Sequence, residues 1–237
     1  MTINKKILIF TATYNEAENI GRLLEKLIQQ SNNAHILVID DNSPDRTAEI
    51  VESYQKNNQS IFLIKREGKL GLDTAHKKAY DFALTNNYDY LITMDADLSH
   101  DPSEINIFIK YLENYDFVIG SRYIDGGKCL MKGKRLVLSK FGNKLIKSLL
   151  NINCNEFTTS YRGFNIRSLK NFNLTMVNAK GYSFFMETVF RIFSSKFKVK
   201  EIPITFSDRQ KGYSKIPKIE IFRTLKNLVL LKFKKLR

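Results

Sequence analysis

The run Tyr90-Leu91-Ile92-Thr93-Met94-Asp95-Ala96-Asp97-Leu98-Ser99-His100-Asp101 constrains the fold more tightly than any other part of the chain. Tyr90 to Met94 are apolar or β-prone and suit a strand covered on both faces. Two carboxylates one residue apart follow, then a polar turn, and then Pro102 where the first position of a helix is expected. Residues i and i+2 of an extended chain point the same way, so Asp95 and Asp97 can converge on one ligand at the strand's carboxyl end. Open α/β sheets bind ligands at that edge. Neighbouring acids repel and favour a counter-ion. A divalent cation shared with phosphate oxygens would supply one, since Mg2+ and Mn2+ prefer carboxylate oxygen. On their own, the same residues would serve equally as solvated turn acids near a helix N-terminus.

Upstream, residues 6–12, 35–39 and 60–64 are further apolar runs. Helical spacing separates them: Ile20, Leu23, Leu24, Leu27 and Ile28, and then Ile50, Val51 and Tyr54 behind Ser43-Pro44, read as a cap and first helical residue. A third helix is expected from about Thr74 to Leu84, after a turn containing Gly68 and Gly71. Such alternation predicts βαβ units and a mostly parallel sheet. Polar residues gather just after the strands, at 13–16, Asp40-Asp41, 69–73 and 95–97, where one crevice would collect them. The first turn has no glycine, so it is not a dinucleotide fingerprint, and 67–71 resembles a P-loop only superficially. These absences argue against a nicotinamide enzyme or an ordinary NTPase. Tyr14 is suited to stacking on a base, and Glu16, Asp40 or Asp41 to accepting hydrogen bonds from base or ribose. The alternative is a packing tyrosine and a first-turn acid.

Past residue 115 the expected roles turn cationic. Arg122 follows a strand at 116–120 and offers a phosphate fork or a surface salt bridge. Gly126-Gly127 would open a flexible basic loop to Lys134, and Leu136, Phe141, Leu145, Ile146, Leu149 and Leu150 give the next helix its apolar face. Phe164 to Ile166 is strand-like. Glu187 sits in an apolar helix beginning near Gly181 and needs a partner, Arg162 or a backbone group. Pro203 marks residues 199–206 as an edge strand. Residues 208–215 form a basic loop whose Arg209, Lys211 and Lys215 would suit a negatively charged reaction centre. Residues 218–237 read as an amphipathic cationic helix, lying on a bilayer or packed on the protein.

The formal charge is +14, and residues 208–237 hold ten Lys or Arg against two acids. Lys128, Lys132, Lys134, Arg135, Lys140, Lys144 and Lys147 form a second basic cluster. Such patches attract phosphate on nucleic acid, nucleotides or anionic lipid. Nucleic acid is disfavoured, because acids at the strand ends would repel its backbone. Cys129 and Cys154 lack metal-ligand spacing, which predicts a reducing compartment and no disulfide framework. Neither a signal peptide nor a membrane span is expected, so the protein should be soluble or peripheral.

In order and spacing, several segments together resemble the polyprenol-phosphate (dolichol-phosphate) mannosyltransferases, inverting glycosyltransferases of family 2. They are residues 13–19 (Thr-Tyr-Asn-Glu-Ala-Glu-Asn), 40–45 (Asp-Asp-Asn-Ser-Pro-Asp), Gly71-Leu72, 95–100, 120–123 (Gly-Ser-Arg-Tyr), 201–204, Asp208-Arg209 and 212–215. The resemblance covers about residues 6–225. It implies an α/β GT-A fold, with Rossmann-like nucleotide-sugar binding on a mostly parallel central sheet flanked by helices. It implies one catalytic domain over 1–217, with a nucleotide-sugar half to about 125 and an acceptor half from 126, and a basic helical tail over 218–237.

The implied reaction is transfer of mannose from GDP-mannose to a polyprenyl or dolichyl phosphate, at the cytosolic face of an anionic membrane. A UDP-sugar donor or a glycan acceptor on the same fold are the alternatives. By the same resemblance Ala12, Tyr14, Glu16 and Asp41 form the base and ribose pocket, with Ala96 beside it. Asp95 belongs to the nucleotide and metal shell, and Asp97 ligates Mg2+ or Mn2+ directly. Arg122, Arg209 and Lys215 surround the diphosphate and the acceptor phosphate. Ser99 stands where some relatives have a metal-ligating Gln, and water is expected to complete the shell. Three further departures are Ala12 for the usual proline, Asp73 for a glycine, which adds negative charge near the crevice, and Glu156 to Arg162 for the family's Asp-x-Thr-Ser-Gly-Phe-Arg.

Overall fold

The computed structural model describes residues 5–30, 33–207 and 219–233, the last segment with side chains from 222 onward. Strands β1 (Ile7–Thr13), β2 (Ala34–Asp40), β3 (Ile61–Lys65) and β4 (Tyr90–Asp95) are those expected, each within a residue or two. They pair in parallel in the spatial order β3-β2-β1-β4. The same sheet continues through β7 (Arg162–Asn165), β5 (Phe117–Ser121) and β8 (Val199–Pro203). Strand β7 runs antiparallel to both β4 and β5, and β8 pairs in parallel with β5 at the sheet's edge. Pro203 therefore sits on an edge strand, where a missing N–H is tolerated.

Successive residues of the inner strands point to opposite faces, and each face has its own core. Leu8, Phe10, Leu37, Ile39 and Leu91 pack with α3 (Leu72–Thr85) and α6 (Ser183–Ser194). Ile9, Ile36, Val38 and Ile92 pack with α1 (Ala17–Gln30), α2 (Thr47–Asn57) and α4 (Ile105–Leu112). Cover on both faces is why these strands read as unbroken apolar runs. Pro102 opens a short 3-10 turn, Pro102–Glu104, capped by Asp101, whose side chain accepts from the Ser103 N–H at 3.0 Å.

Several local expectations need correction. Ser43-Pro44 does not start α2. Ser43 is held by Asp40 through its N–H (2.9 Å) and hydroxyl (2.6 Å), and the helix begins at Thr47, whose N–H bonds to Asp45. The glycines at 126–127 do not open a loose loop. They lead into β6 (Lys128–Cys129), which pairs in parallel with β9 (Thr205–Phe206). A Cβ at Gly127 would stand 2.6 Å from the Ser121 carbonyl, so the return of the chain past β5 requires glycine there. Glu187 takes the backbone partners expected, the N–H groups of Asn178 and Ala179, but its cation is Arg191, one helical turn on at 2.7 Å, and not Arg162.

Helix α5 (Gly133–Leu150) buries Asn143, Ile146 and Leu150 but leaves Val137 and Phe141 68% and 62% exposed. Phe141, expected on the apolar face of this helix, lies outside the part of that face that packs on the protein. Helix α7 (Ile219–Phe233) buries Leu228 and Leu231 and leaves Phe222 and Phe233 73% and 81% exposed. Of the two readings of this segment, packing on the protein is the one observed, through Leu228 and Leu231, while Phe222 and Phe233 stay outside that contact. Among the described residues no helix is long and apolar enough to cross a membrane.

His76 is buried among the rings of Phe10, Phe184 and Phe185 at 5.0–5.8 Å. Burial, reinforced by the nearby Arg162 cation, pushes its pKa down to about 3. Once unfolded, this imidazole takes up a proton below about pH 6.5. Between roughly pH 3 and 6.5 the unfolded chain therefore binds more protons, and stability falls as the pH falls. The expected result is that His76→Leu loses less stability than the natural chain between pH 7 and pH 5 in urea titrations. An equal loss would move the acid sensitivity to other groups.

Candidate active site

The strand order places β1 between β2 and β4, so the chain switches direction across the sheet at the β1/β4 junction. Crevices form at the carboxyl ends of strands at such a point. Register aligns those ends: Ala12 lies opposite Asp95, and Thr13 opposite Asp40. A cavity of about 270 Å3 opens there. Ala12, Tyr14, Glu16, Asp41, Asp95, Ala96 and Asp97, all named from sequence, line it together.

Each wall has a local cause. Of the two acids ending β2, Asp40 is structural, accepting from the Thr13 hydroxyl at 2.7 Å as well as from Ser43. Asp41 faces the cavity and folds the next loop around itself. Its carboxylate accepts from the N–H groups of Leu70 (3.1 Å) and Gly71 (3.2 Å) and forms a salt bridge with Arg66. Arg66 also donates to the Gly71 carbonyl at 3.1 Å. The Lys69 ammonium stands 4.2 Å from the Tyr14 ring centroid, so a cation covers one face of the ring proposed for stacking.

Asp95 and Asp97 both border the cavity. Asp95 accepts from the Ser160 hydroxyl at 2.6 Å, and Asp97 from the Ser99 N–H at 3.1 Å. Between Asp97 and Ser99, Leu98 holds φ +60°, a left-handed conformation uncommon for a residue with a branched side chain. The Ser99 hydroxyl is buried and has no hydrogen-bond partner among the described residues. His100 is fully buried, and burial pushes its pKa down to about 4, so it is neutral at pH 7. Its Nδ1 accepts the Asp95 backbone N–H at 3.1 Å, which leaves Nε2 to donate to the Thr159 hydroxyl 3.2 Å away. The 3.8 Å approach of Nδ1 to the Asp95 carboxylate is therefore not an ion pair. His100 shapes the acidic turn and is not itself presented to the cavity.

Arg122 lies elsewhere. Its guanidinium forks onto the buried Glu156, with Nε to Oε2 at 2.7 Å, and reaches the Thr158 hydroxyl at 3.1 Å. It borders a second cavity instead, with lysines of α5. Arg209 and Lys215 lie outside the described residues. Asp73, expected as an added negative charge near the crevice, is also a structural tie. It is 5% exposed, and its Oδ1 accepts the Gly181 N–H at 3.0 Å, tying the first turn of α3 to the turn before α6. That tie carries Gly181 and Tyr182 to the cavity as its far wall. Asp73→Asn is expected to raise KM for the sugar donor several-fold while leaving kcat nearly unchanged; an equal fall in both parameters would argue against a role confined to the wall.

Sequence reasoning missed Arg66 and Tyr182. Arg66 follows a strand end like the acids that were found, so its position was a usable signal. Tyr182 had none, because it is carried in by its neighbour Gly181, which lies 108 residues beyond the Asp73 it bonds to, through a contact made only on folding.

An acid-lined crevice at the switch point, with an antiparallel strand inserted beside the acid-bearing one, defines an α/β enzyme of GT-A architecture. The chain belongs to glycosyl transferase family 2, whose model matches residues 8–172. It is 34% identical over 215 residues to the polyprenol monophosphomannose synthase of Mycolicibacterium smegmatis, covering 90% of this chain and 81% of that one. It is 32% identical to the undecaprenyl-phosphate mannosyltransferase of Micrococcus luteus, covering 89% and 87%. Among solved structures, the glucosyl-3-phosphoglycerate synthase of Mycobacterium tuberculosis, in complex with Mn2+, UDP and glucosyl-3-phosphoglycerate, superimposes with a TM-score of 0.67 at 13% identity, covering 96% of this chain and 78% of that one. This last likeness is one of fold.

Proposed function

We propose that the protein transfers mannose from GDP-mannose to the phosphate of a polyprenyl or dolichyl phosphate, with inversion at the anomeric carbon. The observation that carries this reading is the meeting of Asp95 and Asp97 with the Tyr14, Glu16 and Asp41 wall in one cavity, in a chain related over nearly its whole length to two lipid-phosphate mannosyltransferases.

The acceptor phosphate is anionic at neutral pH, so its oxygen attacks without a strong base. This agrees with two buried, neutral histidines, His76 and His100. Tyr14, Glu16 and Asp41 orient the base and ribose, and Ala12 and Ala96 leave room beside them. The donor set suits Mg2+ or Mn2+: two carboxylates, and among the described residues no cluster of three or more acidic, His or Cys ligands. Mg2+ is commonly held in that way, by one or two carboxylates with phosphates and water. When bound at Asp95 and Asp97, the ion supplies charge neutralisation to the departing diphosphate. Arg122, Arg209 and Lys215 hold the two anionic reactants near one another. Residues 1–217 act as one catalytic unit, and the exposed apolar ridges of α5 and α7, studded with lysine, rest on the cytosolic face of an anionic membrane.

The test is incorporation of sugar from a panel of nucleotide-sugars into polyprenyl phosphate, with and without chelator. GDP-mannose is expected to give a lipid-linked product that chelation abolishes. Preference for a UDP-sugar, or no lipid product from any donor, would overturn the assignment.

A further inference from the structure

We propose that Ser160 is a positioning residue of the donor site: its hydroxyl sets the Asp95 carboxylate in the orientation that takes up the divalent ion and the nucleotide. This inference rests on the reading of Asp95 and Asp97 given above. Ser160 stands where the Asp-x-Thr-Ser-Gly-Phe-Arg pattern has glycine, so the hydroxyl is this chain's own.

Sheet register explains the contact. Strands β4 and β7 are antiparallel, with Tyr90 opposite Asn165 and Thr93 opposite Arg162. Carried two residues further, the same register sets Ser160 across from Asp95. Directly opposed side chains of an antiparallel pair share one face and interact. The Ser160 hydroxyl donates to Asp95 Oδ1 at 2.6 Å, a short bond of the kind a charged acceptor makes. Strand β4 returns the hold, since the Thr93 hydroxyl donates to the Ser160 carbonyl. The preceding residue is fixed as well. The Thr159 hydroxyl accepts the Tyr161 N–H at 3.1 Å, and the Thr159 carbonyl accepts from Arg162 at 2.8 Å.

Ser160 is buried, whereas the Asp95 side chain stays 34% exposed and borders the cavity. The bond therefore lies on the inner side of the carboxylate and leaves its exposed part to the crevice. A side chain free to turn loses rotamer freedom when it takes up a ligand. One already held loses less, and the hydrogen-bond partners of metal-binding carboxylates are worth about 10–100-fold in affinity for the ion. Asp97 is aimed by the Ser99 backbone N–H, which substitution at 99 would leave in place. At Asp95 the donor is a side chain, and substitution removes it.

The test uses the full chain with Ser160→Ala, Ser160→Gly and Ser160→Thr. Binding of Mn2+ alone is read from the loss of its free-ion paramagnetic resonance signal, and binding of Mn2+ with GDP, or with UDP, by titration calorimetry. The alanine and glycine variants are expected to bind Mn2+ about tenfold more weakly than the natural chain. Ser160→Thr keeps the donor and should stay within about twofold. Melting temperatures without metal should differ little, because the 159–162 backbone keeps its other bonds. A lowered melting temperature with unchanged Mn2+ affinity would mark a merely structural hydroxyl and overturn the proposal. So would a natural chain that binds no Mn2+ in any of these measurements. A tenfold loss seen with UDP but not with GDP would support the inference and overturn only the donor assigned above. None of these measurements depends on mannosyl transfer, so failure of that activity is read separately.

Discussion

Asp97→Ala is expected to lower kcat/KM for lipid-linked sugar synthesis by about a thousandfold, while the folded chain keeps its melting temperature within a few degrees. The carboxylate is 3% exposed, borders the cavity and is aimed by the Ser99 N–H. Removing a group that stabilises charge on a leaving oxygen commonly costs about 3–4 kcal/mol of transition-state stabilisation, which is the expected rate loss. The stability term is small, because a carboxylate next to Asp95 is relieved of repulsion when it is removed. Asp97→Asn separates shape from charge: it keeps the hydrogen bond to Ser99 and should be nearly as inactive. Steady-state rates across a Mg2+ and Mn2+ titration check this. Transfer by Asp97→Ala at the natural rate, with divalent ions removed, would reject the site.

Arg162→Met is expected to destabilise the fold by about 4 kcal/mol, a large part of the 5–15 kcal/mol typical of a folded domain. Arg162 is 1% exposed and has no carboxylate among its hydrogen-bond partners. Its guanidinium instead satisfies three carbonyls, those of Thr159 (2.8 Å), Phe185 (2.9 Å) and Phe157 (3.0 Å). It also lies 4.7 Å from the Phe185 ring centroid. Burial pushes its pKa down to about 9, so it remains a cation at pH 7. Methionine fills much of the volume but leaves those carbonyls dry and unpaired, and each such group costs about 1–3 kcal/mol. The urea midpoint is the measurement, with Arg162→Lys as a partial rescue that makes fewer bonds. A loss below about 1 kcal/mol, the level of an ordinary surface substitution, would contradict this account. The effect reaches the site as well, because Arg162 anchors the 157–162 segment that presents Ser160 to Asp95.

The motifs legible in the sequence were those in which a few neighbouring residues carry their own geometry. The apolar runs of β1 to β4 announce strands covered on both faces, and Asp95-Ala96-Asp97 announces a pair of acids aimed one way, because alternation along a strand is a local property. Where the pairing depended on distant residues, the reading went astray or stayed silent. For Glu187 the expected backbone partner is found, in the amides of Asn178 and Ala179, but helical pitch supplies Arg191 in place of Arg162. Asp73 read only as an added charge near the crevice, and the approach of Gly181 makes it a tie as well. Arg122 read as a phosphate fork, yet its Nε and one terminal nitrogen are given to Glu156.

The sequence by itself determined the strand that carries the acids, since short-range alternation dictates which way each side chain leaves its strand, and its resemblance to a known family supplied the seven residues that later meet at one cavity. Tertiary structure alone decided which cations face that cavity, which acids are already neutralised, and which apolar residues of α5 and α7 remain outside the core. Those outcomes depend on contacts between segments far apart in the chain, whose energies are comparable to those of many alternative pairings until the whole sheet and its helices are in place.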